Sequence, residues 1–235
     1  MKIAEDGKAA TAIWYQFSDE KLVQASSATI SSAVSSWAGA ATNVSNPVAN
    51  VESSEPNLGL SSDGTRATAV WTEVLRVGMD RPTHGVGTAS AVITGTDGGW
   101  NAPTNLPASA AQAQNPQVVL SADGSQATAV VKMVSGGVAA ASANIVGNVA
   151  TWDADFTSID GTDAGESPSI GVSADGSLIT AAWDGGSKIG SASAVRTYTV
   201  TFNANGGGGG GTMPPQSANA ATALAANSFT RTGYP

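Results

Sequence analysis

The fold is decided by the stretch Asp63-Gly-Thr-Arg-Ala-Thr-Ala-Val-Trp71, because this nine-residue phrase recurs through the chain. The other copies run from Asp6 to Trp14, from Asp123 to Val131 and from Asp175 to Trp183. Successive copies start 57, 60 and 52 residues apart. A fixed period of this length matches a supersecondary unit and is typical of propellers, solenoids and arrays. The repeat therefore predicts an architecture, and by itself it predicts no activity.

Each Asp-Gly pair is expected to be a hairpin turn between two strands. The segments ahead of it start with proline and carry apolar residues at alternate positions, at Pro56 to Ser61, Pro116 to Ser121 and Pro168 to Ser173. Alternation predicts a strand, and proline is expected to open it because its missing N–H matters least there. Glycine supplies the positive φ of the turn, so turns are predicted at residues 6–7, 63–64, 123–124 and 175–176. The Ala-Thr-Ala residues that follow predict a second strand packed on both faces.

Two further signals complete the unit. Ala-Ser-Ala or Ala-Ser-Ser at residues 25–27, 89–91, 141–143 and 192–194 predicts a third strand. Trp37, Trp100 and Trp152 follow eleven or twelve residues later and predict a fourth, with the tryptophan filling the wide end of a wedge. Four short antiparallel strands make up a propeller blade. We therefore predict an all-β, propeller-like array of four repeats over residues 1–196; a stacked β-sandwich array and another β-solenoid are the alternatives.

The first and last repeats are expected to be incomplete. Nothing ahead of Asp6 is expected to form a first strand, and no tryptophan follows the fourth Ala-Ser-Ala near Asn203. The simplest explanation is a piece of a longer protein, cut within a blade. The alternative is an open arc whose edges pair with something else.

A different module is predicted for residues 197–235. Its elements are Tyr198 to Asn205, a run of six glycines ending at Gly211, Met213-Pro214, then Leu224, Asn227 and Phe229 to Tyr234. In this order they resemble the Listeria–Bacteroides repeat, the internalin B-repeat-like module of bacterial surface proteins. The glycine run is longer than the family's, and the family's Gly-Trp strand is missing after Pro235. The resemblance implies a truncated β-grasp-like module and a secreted or wall-attached protein.

Composition excludes several classes of partner. Charged residues are 12% of the chain, the net charge is −8 and the pI is near 4.4, which disfavours nucleic acid and anionic membrane. The absence of cysteine excludes disulfides and thiolate zinc sites. No apolar run approaches the roughly 18 residues of a membrane span. His84 is the one histidine, so a multi-histidine metal site is excluded, and His84 is expected in a polar loop.

Two sets of residues are candidate sites. Calcium prefers hard oxygen ligands, so the acid-rich loop with Asp153, Asp155, Asp160 and Asp163 is the candidate for a metal, with solvated carboxylates as the favoured alternative. No other cofactor is predicted. The second set shares one repeat position: Trp14, Trp71 and Trp183. Exposed indoles there would stack on sugar rings, but Val131 in the third copy favours a core position.

A sialidase-type site is not expected. Ser-x-Asp-Gly resembles part of the Asp-box turn of sialidase propellers, but Asp and Gly are adjacent here and the Trp follows eight residues after Asp. The arginine cluster of those enzymes also has no counterpart spread over the repeats, because three of the four arginines in this region lie in one repeat.

The sequence thus predicts a non-catalytic interaction or adhesion protein of the bacterial exterior that binds a protein or a glycan. One alternative is a fragment of an extracellular carbohydrate-active enzyme or lectin whose active residues lie outside this chain. A structural stalk is the other.

Overall fold

The computed structural model describes residues 1–17, 21–31, 34–46, 51–75, 83–106, 112–160, 165–174, 176–203, 209–210, 213–218, 222–226 and 228–230. Its regular elements are all β-strands. The chain forms two compact units, Met1–Ser193 and Ala194–Pro235. The sequence-based division falls slightly later, between residues 196 and 197. No helix in the described part of the chain is long and apolar enough to cross a membrane.

The first unit contains one antiparallel sheet for each repeat. The first sheet consists of β1 (Lys2–Ile3), β2 (Ala9–Gln16), β3 (Leu22–Ser31), β4 (Val34–Trp37) and β5 (Thr42–Asn43). The second consists of β6 (Val51–Leu60), β7 (Arg66–Leu75), β8 (Thr83–Thr94), β9 (Asp97–Trp100) and β10 (Thr104–Asn105). The third consists of β11 (Ala113–Leu120), β12 (Gln126–Met133), β13 (Val138–Val146), β14 (Val149–Trp152) and β15 (Thr157–Ser158). The fourth consists of β16 (Glu166–Val172), β17 (Leu178–Asp184) and β18 (Ile189–Val195).

Within each sheet the strands are paired in sequence order, and in the first three sheets the outer strand comes in two pieces. In the second sheet β6 pairs with β7 and β7 with β8, while β9 and β10 both pair with β8. The first and third sheets repeat this arrangement. The predicted all-β array of four-stranded, blade-like repeats is therefore confirmed.

Two expectations about the first strands are wrong. The first repeat does have a first strand, since Lys2 and Ile3 pair with Thr11 and Ala10. Proline does not open the other first strands: β6 starts five residues before Pro56, and Pro116 also lies inside its strand. The ladder tolerates proline there because the register shifts at each site, between Ser54 and Asn57 in β6. A bulge removes the need for the missing N–H donor.

The turns have the predicted chemistry. Gly7, Gly64, Gly124 and Gly176 all have positive φ, between 67° and 74°. In the second repeat the Asp63 carboxylate accepts hydrogen bonds from the Thr65 N–H at 3.0 Å and from the Ser61 hydroxyl at 2.7 Å. Asp123 makes the same two bonds in the third repeat, to Ser125 and Ser121. Asp175 lies outside the described residues.

These hydrogen bonds make the turns sensitive to acid. Burial raises the pKa of Asp63 and of Asp123, but hydrogen bonds to each carboxylate outweigh it and hold both pKa values below the ordinary 3.8. A carboxyl with a lowered folded-state pKa stabilises the fold above its unfolded-state pKa, and this contribution is lost as the pH falls through the folded-state value.

We therefore expect the free energy of unfolding to fall as the pH drops below about 4. The double variant Asp63→Asn, Asp123→Asn should be less stable than wild type at neutral pH and should lose less stability between about pH 4 and pH 2. Urea denaturation across this range measures both effects, with Asp155→Asn as the control at an exposed loop position. An unchanged pH slope in the double variant would contradict the assignment.

The core lies between successive sheets, and each sheet has two unlike faces. The rear face, directed at the preceding sheet, carries Ala67, Ala69 and Trp71 of β7, which cluster with Val23 of the first sheet. The forward face carries Val70, which clusters with residues of the third sheet. Extensive packing joins the first sheet to the second, the second to the third and the third to the fourth. Small rear-face alanines allow this close approach.

Each forward face also carries a hydroxyl pair. Thr68 on β7 and Ser90 on β8 are opposite each other and share a hydrogen bond of 2.8 Å between their side-chain oxygens. The same pair recurs as Thr11 with Ser27, Thr128 with Ser142 and Thr180 with Ser193. The Thr and Ser of the repeated phrases are therefore partners across the strands.

The outer-strand tryptophans only partly match the predicted wedge. Trp100 packs against the cluster between the first and second sheets, and Trp152 against the cluster between the second and third. Trp37 is 40% exposed and fills no such space.

The second unit contains two short two-stranded sheets. β19 (Tyr198–Val200) pairs antiparallel with β21 (Gln216–Ala218), and β20 (Gly209–Gly210) pairs with β22 (Phe229–Thr230). Two residues of the glycine run are thus part of a strand. Asn205, Asn227 and residues 231–235, on which the resemblance also depends, lie outside the described residues.

Candidate functional site

The first strands of three repeats carry the same unusual backbone conformation. Glu55, Asn115 and Ser167 precede the prolines and have φ values of 51°, 52° and 46°. A non-glycine residue in this left-handed region costs about 1–3 kcal/mol, so the surrounding structure must hold it there. Each lies at a bulge, where the register shifts. The strain is therefore a property of the repeat.

The three bulges meet at one cavity. Glu55, Asn115 and Ser167 line a shallow cavity of about 230 Å³, largely open to solvent, together with Gln117 and Pro168. The convergence follows from the fold, because equivalent positions of first strands in consecutive sheets lie side by side. Strained residues often cluster at ligand sites, which makes this cavity the candidate site of the first unit.

A buried threonine, Thr72, ties together the first two bulge residues, Glu55 and Asn115. The Thr72 hydroxyl donates to Glu55 Oε2 at 2.8 Å. The Asn115 backbone N–H lies 3.2 Å from both Glu55 Oε2 and Thr72 Oγ1. When the Asn115 side-chain amide is oriented with its nitrogen towards Glu55, that nitrogen also donates to both Glu55 carboxylate oxygens at 2.7 Å. The Glu55 carboxylate is thus fixed as an acceptor in a network that spans two repeats.

A second bridge positions Gln117. Asn57 donates from its side-chain nitrogen to Gln117 Oε1 at 2.8 Å, and its own oxygen accepts from the Val118 N–H at 2.9 Å. The Gln117 amide N–H groups and the Ser167 hydroxyl make no hydrogen bond to any other described residue. The cavity therefore offers fixed acceptors on one side and available donors on the other, beside the ring of Pro168.

This arrangement suits a neutral ligand with hydroxyl or amide groups. Glu55 is the one carboxylate among the five lining residues, and it is already hydrogen bonded. Glycoside hydrolysis by the usual route needs two carboxyl groups that face each other across the scissile bond. Hydrogen-bonded recognition thus fits the cavity better than acid–base chemistry does.

A smaller cavity of about 160 Å³ lies at the C-terminal ends of the first strands, where the turns meet. Equivalent residues of all four repeats line it: Glu5, Ser62, Ala122 and Ala174. The backbones of the first three form a ladder, because the Glu5 N–H donates to the Ser62 carbonyl at 2.8 Å and the Ser62 N–H to the Ala122 carbonyl at 3.0 Å. We assign this region a role in joining repeats.

The three tryptophans at one repeat position, for which a core role is favoured over glycan stacking, differ in exposure. Trp71 is fully buried and Trp183 is 6% exposed, and both pack against the preceding sheet. Trp14 is partly exposed. Trp14 is therefore the one member of the set with part of its surface open to solvent.

The candidate calcium ligands, for which solvated carboxylates are the favoured alternative, are spread over different environments. Asp153 Oδ2 accepts from the Ser142 N–H at 2.9 Å, as Asn101 Oδ1 accepts from the Ser90 N–H in the second repeat. Asp153 is thus part of the sheet edge. Asp155 is exposed and Asp160 is buried, while Asp163 lies outside the described residues. Across the described ranges, no three acidic or histidine side chains come together as a metal site would require.

The expectation that His84 lies in a polar loop is wrong. His84 lies in β8, opposite Val74. The long second-repeat hairpin extends further than the repeat phrases indicate. His84 Nδ1 is buried and has no hydrogen-bond partner in the described part of the chain.

No protein-family model and no curated protein matches the chain. Solved structures do show similarity. TolB from Acinetobacter baumannii is 15% identical with a TM-score of 0.38, over 82% of this chain and 39% of that one. The Trypanosoma rangeli sialidase in complex with sialic acid is 10% identical with a TM-score of 0.42, over 77% and 33%. Prolyl oligopeptidase B from Galerina marginata is 11% identical with a TM-score of 0.38, over 77% and 24%.

The chain thus spans well under half the length of these three proteins. At such TM-scores the likeness assigns no activity, and the architecture rests on the sheets described above.

Sequence reasoning missed the bulge cavity. The available signal was a polar residue on each side of every first-strand proline, as in Glu55-Pro-Asn57 and Asn115-Pro-Gln117. A proline that opens a strand does not require a polar residue on each side. A bulge whose polar groups face a shared space does require them.

Proposed function

We propose that this protein is a non-catalytic binding scaffold of the bacterial exterior, and that it binds a neutral glycan or peptide at the bulge cavity. The observation that carries the proposal is the convergence of three left-handed, pre-proline residues, Glu55, Asn115 and Ser167, on one space. Sugar hydroxyls and peptide amides both match the available donors of Gln117 and Ser167 and the carboxylate acceptor of Glu55.

The proposed location is supported by the resemblance of Tyr198 to Tyr234 to a module of secreted and wall-attached proteins. Protease treatment of intact cells of the source bacterium tests it. Loss of the intact protein from unbroken cells is expected, and protection until lysis would contradict an exterior location.

Binding is tested by probing a glycan array and a peptide array with the full chain and measuring the hits by calorimetry. We expect Gln117→Ala to weaken binding about 2- to 13-fold, the effect of losing a hydrogen bond worth roughly 0.5–1.5 kcal/mol. Gln126→Ala is the matched control, because Gln126 lies in β12 outside the cavity lining. An equal affinity for the two variants, or no hit on either array, would count against the cavity as the binding site.

A further inference from the structure

Two aromatic side chains lie at the end of β2. Phe17 directly follows the strand and is 86% exposed. Its ring meets that of Tyr15 edge to face, with centroids 6.1 Å apart and an angle of 77° between the ring planes. Tyr15 is partly exposed. Since Phe17 contributes little to the core, the face of its ring is open to a ligand.

The repeat places Tyr15 beside the bulge cavity. Counting from the repeated phrases, Tyr15 is the equivalent of Thr72, and Glu55 is the equivalent of Asn115. The Thr72 hydroxyl oxygen lies 3.2 Å from the Asn115 backbone nitrogen in the next sheet. The strand β2 packs on β6 as β7 packs on β11. By the same step, Tyr15 falls beside the bulge at Glu55.

Contacts of the β2–β3 hairpin place Phe17 at the same end of β6. Phe17 lies one residue beyond the paired part of this hairpin, at the level of Lys21. The Lys21 ammonium group is ion paired with Glu52, and the Lys21 carbonyl accepts from the Ser53 N–H at 3.2 Å. Ser53 precedes Glu55 by two residues, about 7 Å along a strand. A single ligand of two or more units can therefore reach both the cavity and the aromatic pair.

The cavity keeps a planar acceptor and a planar donor for such a ligand. Among the hydrogen bonds of the described residues, Glu55 Oε1 accepts one, from the Asn115 side chain. A carboxylate has about four acceptor sites, so Oε1 can accept another hydrogen bond. The Gln117 amide supplies the donors. Neighbouring hydroxyls on a sugar ring match this pair of groups.

The backbone at the bulges is unsuited to a bound peptide strand. A peptide added to a sheet edge is held by regular backbone hydrogen bonds to the edge strand. The first strands β6, β11 and β16 each shift register at the bulge, and the prolines there supply no N–H. Bulges and prolines on an edge oppose such pairing. A sugar needs no regular edge, so the observations favour a glycan over a peptide.

We propose that the ligand of the bulge cavity is a neutral oligosaccharide of pyranose rings, with one ring in the cavity and a neighbouring ring stacked on Phe17. This inference rests on the function proposed above and specifies its ligand. A pyranose has hydroxyls around its rim and an apolar face of C–H groups. The rim of one unit bonds to Glu55 and Gln117, and the C–H face of the other covers the Phe17 ring, which Tyr15 supports from its edge. A neutral sugar is favoured because an acidic one would place its charge near the Glu55 carboxylate.

The test is calorimetric titration of the full chain with neutral pyranose disaccharides and longer oligosaccharides that bind on the glycan array. Phe17→Leu keeps an apolar side chain but removes the ring, and it is expected to weaken binding about 2- to 13-fold, the effect of losing one aromatic contact. Phe17→Trp keeps a flat ring and is expected to bind at least as tightly as wild type. Circular dichroism checks that the variants are folded.

Val134→Ala is the matched control. Val134 has the repeat position of Phe17 in the third sheet and is 45% exposed, but it has no ring. This variant is expected to bind as wild type does. An equal loss in Val134→Ala and Phe17→Leu would overturn the proposal, because it would show a general apolar contact in place of stacking.

Failure of this inference and failure of the binding function give different results. A glycan whose affinity falls in Gln117→Ala but not in Phe17→Leu would overturn the stacking and leave the cavity as the binding site. A peptide whose binding depends on Gln117, with no glycan bound, would overturn the choice of ligand alone. No hit on either array would contradict both proposals.

Discussion

Replacing Trp71 with alanine is expected to lower the free energy of unfolding of the first unit by about 3–5 kcal/mol, the usual cost of truncating a large buried aromatic side chain. The ring is fully buried and packs on Ile13 and Val23 at the junction of the first two sheets. Its indole N–H donates to Glu73 Oε1 at 3.1 Å. Burial raises the pKa of Glu73, although this hydrogen bond acts in the opposite direction. Alanine would remove the packing and the hydrogen bond together.

Urea denaturation followed by circular dichroism measures this loss. Trp14→Ala is the matched control, because Trp14 has the same repeat position on a partly exposed face. A clearly smaller loss is expected there. Equal losses in the two variants would show that burial between sheets does not determine how much the side chain at this position contributes to the free energy of unfolding.

Replacing Gly87 with alanine is expected to destabilise the protein by about 1–3 kcal/mol, the cost of overpacking a filled site. Gly87 lies directly across the strands from Trp71, and an added Cβ would overlap the Trp71 ring. Gly190 stands in the same relation to the ring of Trp183. In the third repeat Val131 faces Ala139. Buried tryptophan is thus paired with glycine in the second and fourth repeats and valine with alanine in the third, whereas the partly exposed Trp14 faces Gln24.

A double-mutant cycle tests this pairing. Gly87→Ala should cost much less in a Trp71→Val background, because the two substitutions together recreate the pair found in the third repeat. Gly85→Ala is the control in the same strand, since its added methyl meets nothing within 4 Å. Additive effects of the two substitutions would mean that the ring does not occupy the space above Gly87.

The elements with local chemistry could be predicted from sequence, while those set by pairing across strands could not. Asp63-Gly64 is a turn because its own side chain and φ make it one. The bulges at Glu55 and Asn115 depend on a register shift against the next strand, which no local pattern of β6 or β11 specifies. Assigning proline to strand starts followed a general preference, and the bulge overrides it.

The candidate site was missed for the same reason. Its residues are polar and sit beside prolines, but they become a cavity only when three sheets place equivalent positions together. The tryptophans share one repeat position that is visible in the sequence, and Val131 at that position correctly favoured a core position for Trp71. The glycines at 87 and 190 carried a further signal, since each accompanies a tryptophan of its own repeat.

The hydroxyl pair on each forward face has an evolutionary consequence. Thr68 and Ser90 satisfy each other inside one sheet, and so do their counterparts in the other repeats. This pair of hydroxyls therefore needs no hydrogen-bond partner from the neighbouring repeat, unlike Asn57, which bonds to Gln117 of the next one. Duplication or deletion of a whole repeat would therefore leave both hydroxyls of this pair hydrogen bonded.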